Sequence, residues 1–164
     1  RRHSRSRVMS KATPATQALD RAGIVYALHV YDYDPSAERI GLQAAESLGV
    51  DPAIVFKTLM TLVDGRPVCA VLPSDREAAL KRLAQAAGGK TAQMMPPADA
   101  ERATGYKIGG ISPLGRRRAT PTILEAVALS LPRLFVNGGQ RGLQIELAPQ
   151  DLVRAVAAIP ADFT

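Results

Sequence analysis

The sequence predicts one domain of the mixed α/β (α+β) class, with a sheet that is mixed or antiparallel. The chain has 164 residues and is 46% hydrophobic, which fits a single domain with a sizeable core. Segments typical of helices and of strands are interspersed, and two pairs of strand-like segments are joined by turns that favour hairpins. A fully parallel sheet is not expected, because strict alternation of strand and helix is missing.

The first half of the chain predicts two helices, one strand and one hairpin. Thr13 can cap the first helix, Pro14 suits its first turn, and Gly23 can end it. Gly49 is expected to end the second helix. The predicted elements are a helix over 13–23, a strand over 24–34, a helix over 36–49, and strands over 53–63 and 68–73 joined by "DGRP".

The second half predicts three further helices and two further strands. Ser74 is expected to cap a helix whose apolar residues keep helical spacing, and Pro149 suits the first turn of the last helix. The predicted elements are helices over 75–88, from near Pro97 and over 148–159, a short apolar piece over 122–130, and strands over 133–137 and 143–147.

The positive charge is concentrated at the start of the chain. The formal net charge is +6, and four of these charges come from arginines that precede Met9: Arg1, Arg2, Arg5 and Arg7. We therefore predict that residues 1–9 are a disordered basic tail, either native or left over from expression. Residues 10–164 are predicted to form the single domain.

Several classes of protein are disfavoured by composition. The first residues lack the apolar core of a signal peptide, and no apolar run reaches the length of a membrane span. Cys69 is the single cysteine, so no internal disulfide can form and a reducing compartment is favoured. The sequence therefore predicts a cytoplasmic protein that does not bind membranes.

Metal and side-chain nucleophile chemistry are poorly supported. The histidines are His3 and His29, and with one cysteine they cannot supply a zinc set of the usual spacing. Ser112 lies in "GISPL", which lacks the second glycine of a nucleophile elbow. Cys69 lies in an apolar segment that favours a buried structural thiol. No metal and no cofactor is predicted.

The glycine-rich loop does not match a phosphate-binding loop. Gly110 and Gly115 have the spacing of a Walker motif, but Arg116 and Arg117 occupy the positions of its lysine and serine or threonine. Pro113 also removes a backbone donor. The second glycine cluster, "NGGQRG", is followed by a strand rather than a helix, which disfavours a dinucleotide site.

Lys57 is the most informative single residue. Its strand segment "AIVFKTLMTLV" is apolar on both faces, which is typical of a central strand. An ammonium group there costs several kcal/mol unless dipoles or an anion stabilise it, or its stem reaches water. Two interpretations therefore stay open: a lysine whose stem reaches solvent, and a lysine at the floor of a cleft that meets a phosphate or an oxyanion.

Three motifs together resemble a known family. "VFKTL" at 55–59, "GYKIGGISPLG" at 105–115 and "NGGQRGLQIEL" at 137–147 are similar to the YbaK/EbsC family of aminoacyl-tRNA deacylases, which are relatives of the editing insertion in bacterial prolyl-tRNA synthetases. The resemblance implies a largely antiparallel, barrel-like mixed sheet surrounded by helices. It also implies hydrolysis of the ester that joins a wrongly attached amino acid to tRNA.

The resemblance also assigns roles to residues of this chain. Lys57 is implied as the catalytic residue. The implied substrate-binding residues are Tyr31, Thr58, Gly109, Gly110, Ile111, Ser112, Pro113, Asn137, Gly139 and Gly142. The implied contacts to tRNA phosphates are Arg116, Arg117 and Arg118.

The substrate implied by the resemblance is Cys-tRNA(Pro), hydrolysed by attack of the substrate's own thiol or of water. Asn137 and Gln144 replace a serine and an aspartate that members near YbaK often carry, so other substrates stay open. The alternatives are a deacylase for Ala-tRNA(Pro) or another small amino acid, and a catalytically silent module that binds tRNA or a synthetase. The implied partners are the acceptor end of tRNA and prolyl-tRNA synthetase.

Overall fold

The computed structural model of the chain describes residues 12–37 and 39–164. The tail predicted for residues 1–9 lies outside these residues. The helices formed within them are α1 (Pro14–Ala22), α2 (Ile40–Leu48), α3 (Leu80–Ala86), α4 (Pro97–Thr104) and α5 (Pro149–Val156). None of the helices in the described part of the chain is long and apolar enough to cross a membrane.

Eight strands accompany these helices in the described residues. They are β1 (Ala27–Val30), β2 (Phe56–Val63), β3 (Arg66–Pro73), β4 (Ala92–Met94), β5 (Thr122–Glu125), β6 (Leu134–Asn137), β7 (Leu143–Leu147) and β8 (Ile159–Ala161). One sheet has the order β1-β7-β6, and the other has the order β4-β2-β3-β5-β8.

The predicted fold class is confirmed. Both partners of β7 are antiparallel to it, and β2 is antiparallel to β3 and β4, whereas β5 is parallel to β3 and β8. The strands lie in two sheets rather than in one closed barrel. A parallel bridge between Val55 and Phe135 connects the two sheets immediately before β2.

The predicted two-sided burial of β2 is also confirmed. Phe56 and Met60 pack into the larger core, between β2 and the smaller sheet, whereas Val63 and Leu59 pack into a second core on the opposite side, with α3. Lys57 therefore lies on a strand whose two faces are both covered by apolar side chains. Its position in the fold is set by hydrophobic packing on either side of it.

The helix predicted to begin at Ser74 begins later. Ala79 is the residue before α3, and the Ser74 hydroxyl instead donates to the carbonyl of Pro52 at 2.9 Å. Ser74 thus fastens the end of β3 to the turn before β2. By contrast, the predicted cap of α1 is confirmed, because the Thr13 hydroxyl accepts from the backbone N–H of Thr16 at 3.2 Å.

The other differences from the predicted elements are two additional short strands, one shorter helix and one shorter strand. β4 and β8 were not predicted, and both are edge strands of only three residues. The last helix ends at Val156 because Ala157 adopts a left-handed backbone with φ of 51°. The strand predicted over 24–34 is limited to β1.

The segment from Gly105 to Thr120, which we call the glycine loop, is irregular but firmly held. The Tyr106 hydroxyl donates to the Leu114 carbonyl at 2.6 Å, and the Ser112 hydroxyl accepts from the Leu114 N–H at 3.2 Å. Tyr106, Ser112 and Leu114 are all buried. The loop is therefore folded around its own buried side chains, which fixes the residues that it presents at its surface.

Arg116 is part of this internal scaffold. Its Nε donates to the Pro113 carbonyl at 3.0 Å, and its terminal nitrogens donate to the hydroxyls of Thr120 and Thr122 at 2.5 and 2.6 Å. A further hydrogen bond goes to the Thr120 carbonyl. Arg116 thus joins the glycine loop to β5, while Arg117 and Arg118 are exposed.

Replacing Arg116 should destabilise the protein. Arg116→Met removes charge-assisted hydrogen bonds and leaves the Pro113 carbonyl and two hydroxyls with fewer partners, so we expect a loss of about 2 kcal/mol in the free energy of unfolding. Arg117→Met, the matched control at an exposed position, should change it by less than about 0.5 kcal/mol. Urea denaturation measures both, and equal effects would contradict the structural role of Arg116.

Candidate active site

A cavity that we call the main cavity lies where β2 meets the glycine loop. Its volume is about 370 Å³, which is within the range of small-molecule sites. It is lined by Arg39, Ile40, Gly41, Phe56, Lys57, Thr58, Leu59, Met60, Ser74, Met94, Met95, Pro97, Ala100, Ile108, Gly109, Ile111, Asn137 and Gln144.

Lys57 supplies a cation to this largely apolar cavity. Its side chain is 21% exposed, and its Nζ lies 3.9 Å from Oε2 of Glu77, whose side chain is 81% exposed. Burial lowers the pKa of Lys57 below the ordinary value of 10.5, Glu77 acts to raise it, and Arg39 acts to lower it. The ammonium is therefore only weakly compensated by its protein neighbours.

Arg39 lines the cavity near Lys57, and the carboxylate of Glu77 lies close to both cations. Nη2 of Arg39 donates to Oε2 of Glu77 at 3.2 Å and approaches the Ser74 carbonyl at 3.4 Å. Both side chains are exposed, so this ion pair contributes little to stability. Its effect is to place a second cation and one carboxylate at the rim beside Lys57.

Gly109 brings the backbone of the glycine loop to the cavity wall. It has φ of 89°, and a Cβ there would lie 2.6 Å from the Tyr33 hydroxyl, so a larger residue would displace the loop. The backbone N–H groups of Gly109 and Ile111 donate to no other described residue, whereas that of Gly110 donates to the Lys107 carbonyl at 2.8 Å. Two backbone donors are thus available beside the cavity.

Asn137 connects the glycine loop to the turn between β6 and β7. Its Nδ2 donates to the Gly109 carbonyl at 3.1 Å. Its Oδ1 accepts from the N–H groups of Gly139 and Gln140 at 2.7 and 3.2 Å. One side-chain amide therefore fixes both glycine-containing segments relative to each other.

Buried oxygens without a partner lie in and behind the cavity. Thr58 and Gln144 line it, and their buried oxygens, Oγ1 and Oε1, make no hydrogen bond within the described residues. The Tyr31 hydroxyl is likewise unpaired within the described ranges; burial raises the pKa of Tyr31, and the neighbouring Gln144 side chain acts to lower it. Buried polar groups normally have a partner, and each of these oxygens would gain one by a rotation of its side chain, towards a neighbouring residue or towards a ligand.

The structure brings five of the residues implied by the sequence together at the main cavity: Lys57, Thr58, Gly109, Ile111 and Asn137. The other implied residues do not belong to this lining. Ser112 and Pro113 are buried in the glycine loop, and the Gly142 carbonyl accepts from the Tyr31 N–H at 2.9 Å behind the cavity. Arg117 and Arg118 are exposed, so their predicted contact with tRNA stays a prediction.

Gly110 and Gly139 belong to a different cleft, on the far side of the glycine loop. A Cβ at Gly110 would lie 3.0 Å from the backbone nitrogen of Arg141. A Cβ at Gly139 would lie 2.8 Å from the ring of Tyr106. Both positions therefore require glycine for close packing of the loops.

Several cavity residues were not found from the sequence. Arg39 and Gly41 lie at the start of α2, and Met94 and Met95 follow or end the unpredicted strand β4. No local motif marks these residues. Gly41 carries the clearest structural requirement, since a Cβ there would lie 2.5 Å from Cβ of Ser74.

The described residues contain no group of three or more histidine, cysteine, aspartate or glutamate side chains that could hold a metal ion. Nε2 of His29 lies 2.8 Å from Oε1 of Glu146 on the neighbouring strand. Burial raises the pKa of Cys69 to about 11, so its thiol is not activated as a nucleophile.

Comparisons with known proteins agree with this geometry. The family model of the aminoacyl-tRNA editing domain matches residues 34–155. A protein of Enterococcus faecalis, provisionally named Cys-tRNA(Pro)/Cys-tRNA(Cys) deacylase EbsC, is 40% identical over 136 residues, which cover 82% of this chain and 83% of that protein. A proline–tRNA ligase of Acidithiobacillus ferrooxidans is 32% identical over 118 residues, which are 71% of this chain but 21% of the ligase.

Solved structures show the same fold. One described as hypothetical protein APE2540 has a TM-score of 0.81 and 24% identity, and the match covers 92% of this chain and 99% of that one. Another, described provisionally as a trans-editing enzyme for prolyl tRNA synthetase, has a TM-score of 0.79 and 21% identity, with coverage of 94% and 96%.

The family match contains the strand that carries Lys57, the glycine loop and the turn after β6. These are the segments on which the sequence resemblance was based, and they meet at one cavity. The EbsC relative covers most of both chains at 40% identity. The chain therefore belongs to the YbaK/EbsC family of aminoacyl-tRNA editing domains.

Proposed function

We propose that this protein is a trans-editing deacylase that hydrolyses mischarged aminoacyl-tRNA, with Cys-tRNA(Pro) as its preferred substrate. Membership of the editing-domain family supports the reaction. The name of the EbsC relative, which specifies Cys-tRNA(Pro) and Cys-tRNA(Cys), supports the substrate. The similarity to proline–tRNA ligases supports prolyl-tRNA synthetase as a partner, and the cytoplasm, where tRNA is charged, as the place of action.

The observation that carries this proposal is that a partly buried lysine and two backbone N–H groups without a partner in the described residues belong to the lining of one cavity. Ester hydrolysis passes through a tetrahedral intermediate whose carbonyl oxygen becomes negative. Donors already fixed in a site of low dielectric stabilise that charge without reorganisation. Lys57, with the N–H groups of Gly109 and Ile111, supplies such donors at the main cavity.

The amino group of the substrate can be recognised by the unpaired oxygens of the cavity. An α-ammonium group carries three hydrogen-bond donors, and Thr58 and Gln144 line the cavity with buried oxygens that lack a partner in the described residues and that a side-chain rotation would turn towards the substrate. Pairing them with the substrate would remove the cost of leaving them unpaired. This contact is common to all aminoacyl esters, so it orients the ester but does not select cysteine.

Attack by the substrate's own thiol accounts for selection of cysteine. The sulfur bonds to the carbonyl carbon, the carbon–oxygen ester bond breaks, and the ribose oxygen leaves with the proton that the thiol gave up. The cyclic thioester that forms is then opened by water. This route needs positioning and oxyanion stabilisation rather than a protein nucleophile, which fits the buried positions of Cys69 and Ser112.

A panel of esters on one tRNA(Pro) tests the proposed reaction and its substrate. We expect Cys-tRNA(Pro) to be deacylated at least about tenfold faster than the alanyl and seryl esters, because only cysteine carries the attacking thiol. Correctly charged Pro-tRNA(Pro) should not be deacylated. Fastest release of alanine would contradict the choice of cysteine and the thiol route, and no release from any ester would favour a silent binding module.

Removal of the Lys57 ammonium should abolish most of the activity. We expect Lys57→Ala to lower kcat by about 10² to 10³, which is the usual effect of losing one oxyanion donor. Lys57→Arg, which keeps the charge, should retain more activity than Lys57→Ala. Single-turnover deacylation measures the rates and circular dichroism checks folding; a folded Lys57→Ala protein with an unchanged rate would contradict the role of Lys57.

The rate should fall at alkaline pH because the charged form of Lys57 is the active one. Burial lowers its pKa, so this alkaline limb lies at a value below 10.5, while at lower pH the rate rises as the substrate's thiol loses its proton. Glu77→Gln removes a carboxylate that raises this pKa and should move the alkaline limb to lower pH. The exposed Glu46→Gln is the control.

This measurement uses kcat/KM for deacylation as a function of pH, after subtraction of spontaneous ester hydrolysis at each pH. An alkaline limb that stays in place in Glu77→Gln would contradict the assignment of the limb to Lys57. A shift of equal size in Glu46→Gln would point to a general effect of net charge instead.

A further inference from the structure

A second cleft of about 360 Å³ lies on the other side of the glycine loop. Its walls include Gly105, Lys107, Gly110, Gly139 and Arg141. Three of these are glycines, which allows the glycine loop and the turn after β6 to pack closely together, and the charged side chains at the cleft are those of Lys107 and Arg141. The main cavity does not use this surface.

The second cleft and the main cavity share one wall. Gly109 lines the main cavity and its neighbour Gly110 lines the second cleft. Arg141 contacts both residues, because a Cβ at Gly109 would lie 3.3 Å from its Nε and a Cβ at Gly110 would lie 3.0 Å from its backbone nitrogen. The two sites are therefore adjacent, with Gly109 and Gly110 between them.

Arg141 is held in position for an anion. Its Nε donates to the Ile108 carbonyl at 2.8 Å, and its guanidinium carbon lies 5.4 Å from the centre of the Tyr33 ring. Its two terminal nitrogens make no hydrogen bond within the described ranges. A guanidinium group fixed in this way offers a pair of donors that matches a phosphate group.

Other cations lie next to Arg141 at this cleft. Lys107 is exposed, and its ammonium pairs with no carboxylate of the described residues. The guanidinium of Arg117 lies beside Gly105, since a Cβ there would be 3.4 Å from its Nε. The carboxylate of Glu101 accepts from the N–H of Ile108 at 2.9 Å and does not line the cleft. The cleft is thus positively charged.

We infer that the second cleft binds the phosphodiester backbone of the single-stranded end of tRNA while the aminoacyl ester occupies the main cavity. The inference rests on the proposed function for the identity of the ester, and on the charge and shape of the cleft for the phosphate. The main phosphate contacts are then expected from Lys107 and Arg141 rather than from Arg116, because the guanidinium of Arg116 makes hydrogen bonds within the glycine loop and to β5. The ligand class is single-stranded RNA recognised through phosphate rather than through its bases.

The test compares Lys107→Ala and Lys107→Ala/Arg141→Ala with the control Arg66→Ala/Lys81→Ala. The control removes the same two types of charge from exposed positions that line neither the main cavity nor the second cleft. The single variant is included because Arg141 also supports the Ile108 carbonyl, whereas the Lys107 side chain has no such contact. Circular dichroism and thermal denaturation verify that each variant is folded.

Two quantities are measured for each variant. The first is the affinity for a short single-stranded RNA that ends in CCA, over a range of salt concentrations. We expect the double variant to bind about tenfold more weakly, with the slope of log K against log salt shallower by about 1.4, since each phosphate contact on a single strand contributes about 0.7. The control should stay within about twofold of wild type.

The second quantity is the ratio of kcat/KM for charged tRNA to kcat/KM for the same aminoacyl ester of adenosine, which carries no phosphate. The ratio should fall about tenfold in the double variant because only the tRNA uses the cleft. RNA affinity and salt slope equal to those of wild type would overturn the inference, even if the wild type deacylates tRNA. If the wild type hydrolyses neither ester, the proposed function fails, and weaker RNA binding by the variants would still support the cleft.

Discussion

The cost of burying the Lys57 ammonium governs the architecture of the site. Hydrophobic packing on both faces of β2 fixes the strand, and the lysine must carry its charge through this apolar layer. The nearest carboxylate, that of Glu77, is exposed and 3.9 Å away, so it returns only part of the lost hydration energy. The part of the burial cost that Glu77 does not compensate makes a polarised carbonyl a favourable neighbour of Lys57. This agrees with the position of the cavity beside this residue.

The glycine loop contributes backbone N–H groups, rather than charged side chains, to the cavity that Lys57 lines. Buried Tyr106, Ser112 and Leu114 fill the inside of the loop, and Arg116 fastens it to β5. With its interior filled, the loop presents the backbone of Gly109 at the main cavity, while the buried Gly110 packs against Arg141 beside the second cleft. Its position depends on packing that is already complete before any ligand binds, which is the condition for preorganised electrostatic stabilisation.

The sequence predicted the parts of the molecule that rest on local patterns or on recognised motifs. The hairpin around "DGRP", the cap of α1 and the two-sided burial of β2 follow from short-range rules, and Lys57 was noticeable because it interrupts an apolar strand. The edge strands β4 and β8 are stabilised by neighbours distant in the chain, so their three residues carry no sufficient signal. The internal hydrogen bonds of Arg116 could not be predicted either, because a run of three arginines does not reveal which one turns inward.

The amide of Asn137 joins the two glycine segments, and its two ends are chemically distinct. Its nitrogen faces the Gly109 carbonyl, and its oxygen faces the N–H groups of Gly139 and Gln140. An aspartate has the same shape but two acceptor oxygens, one of which would then repel the Gly109 carbonyl. Hydrolysis of this single amide would therefore turn an attraction between the loops into a repulsion without altering the fold. Chemical ageing of this one side chain would thus weaken the contact between the two loops while every other residue stayed unchanged.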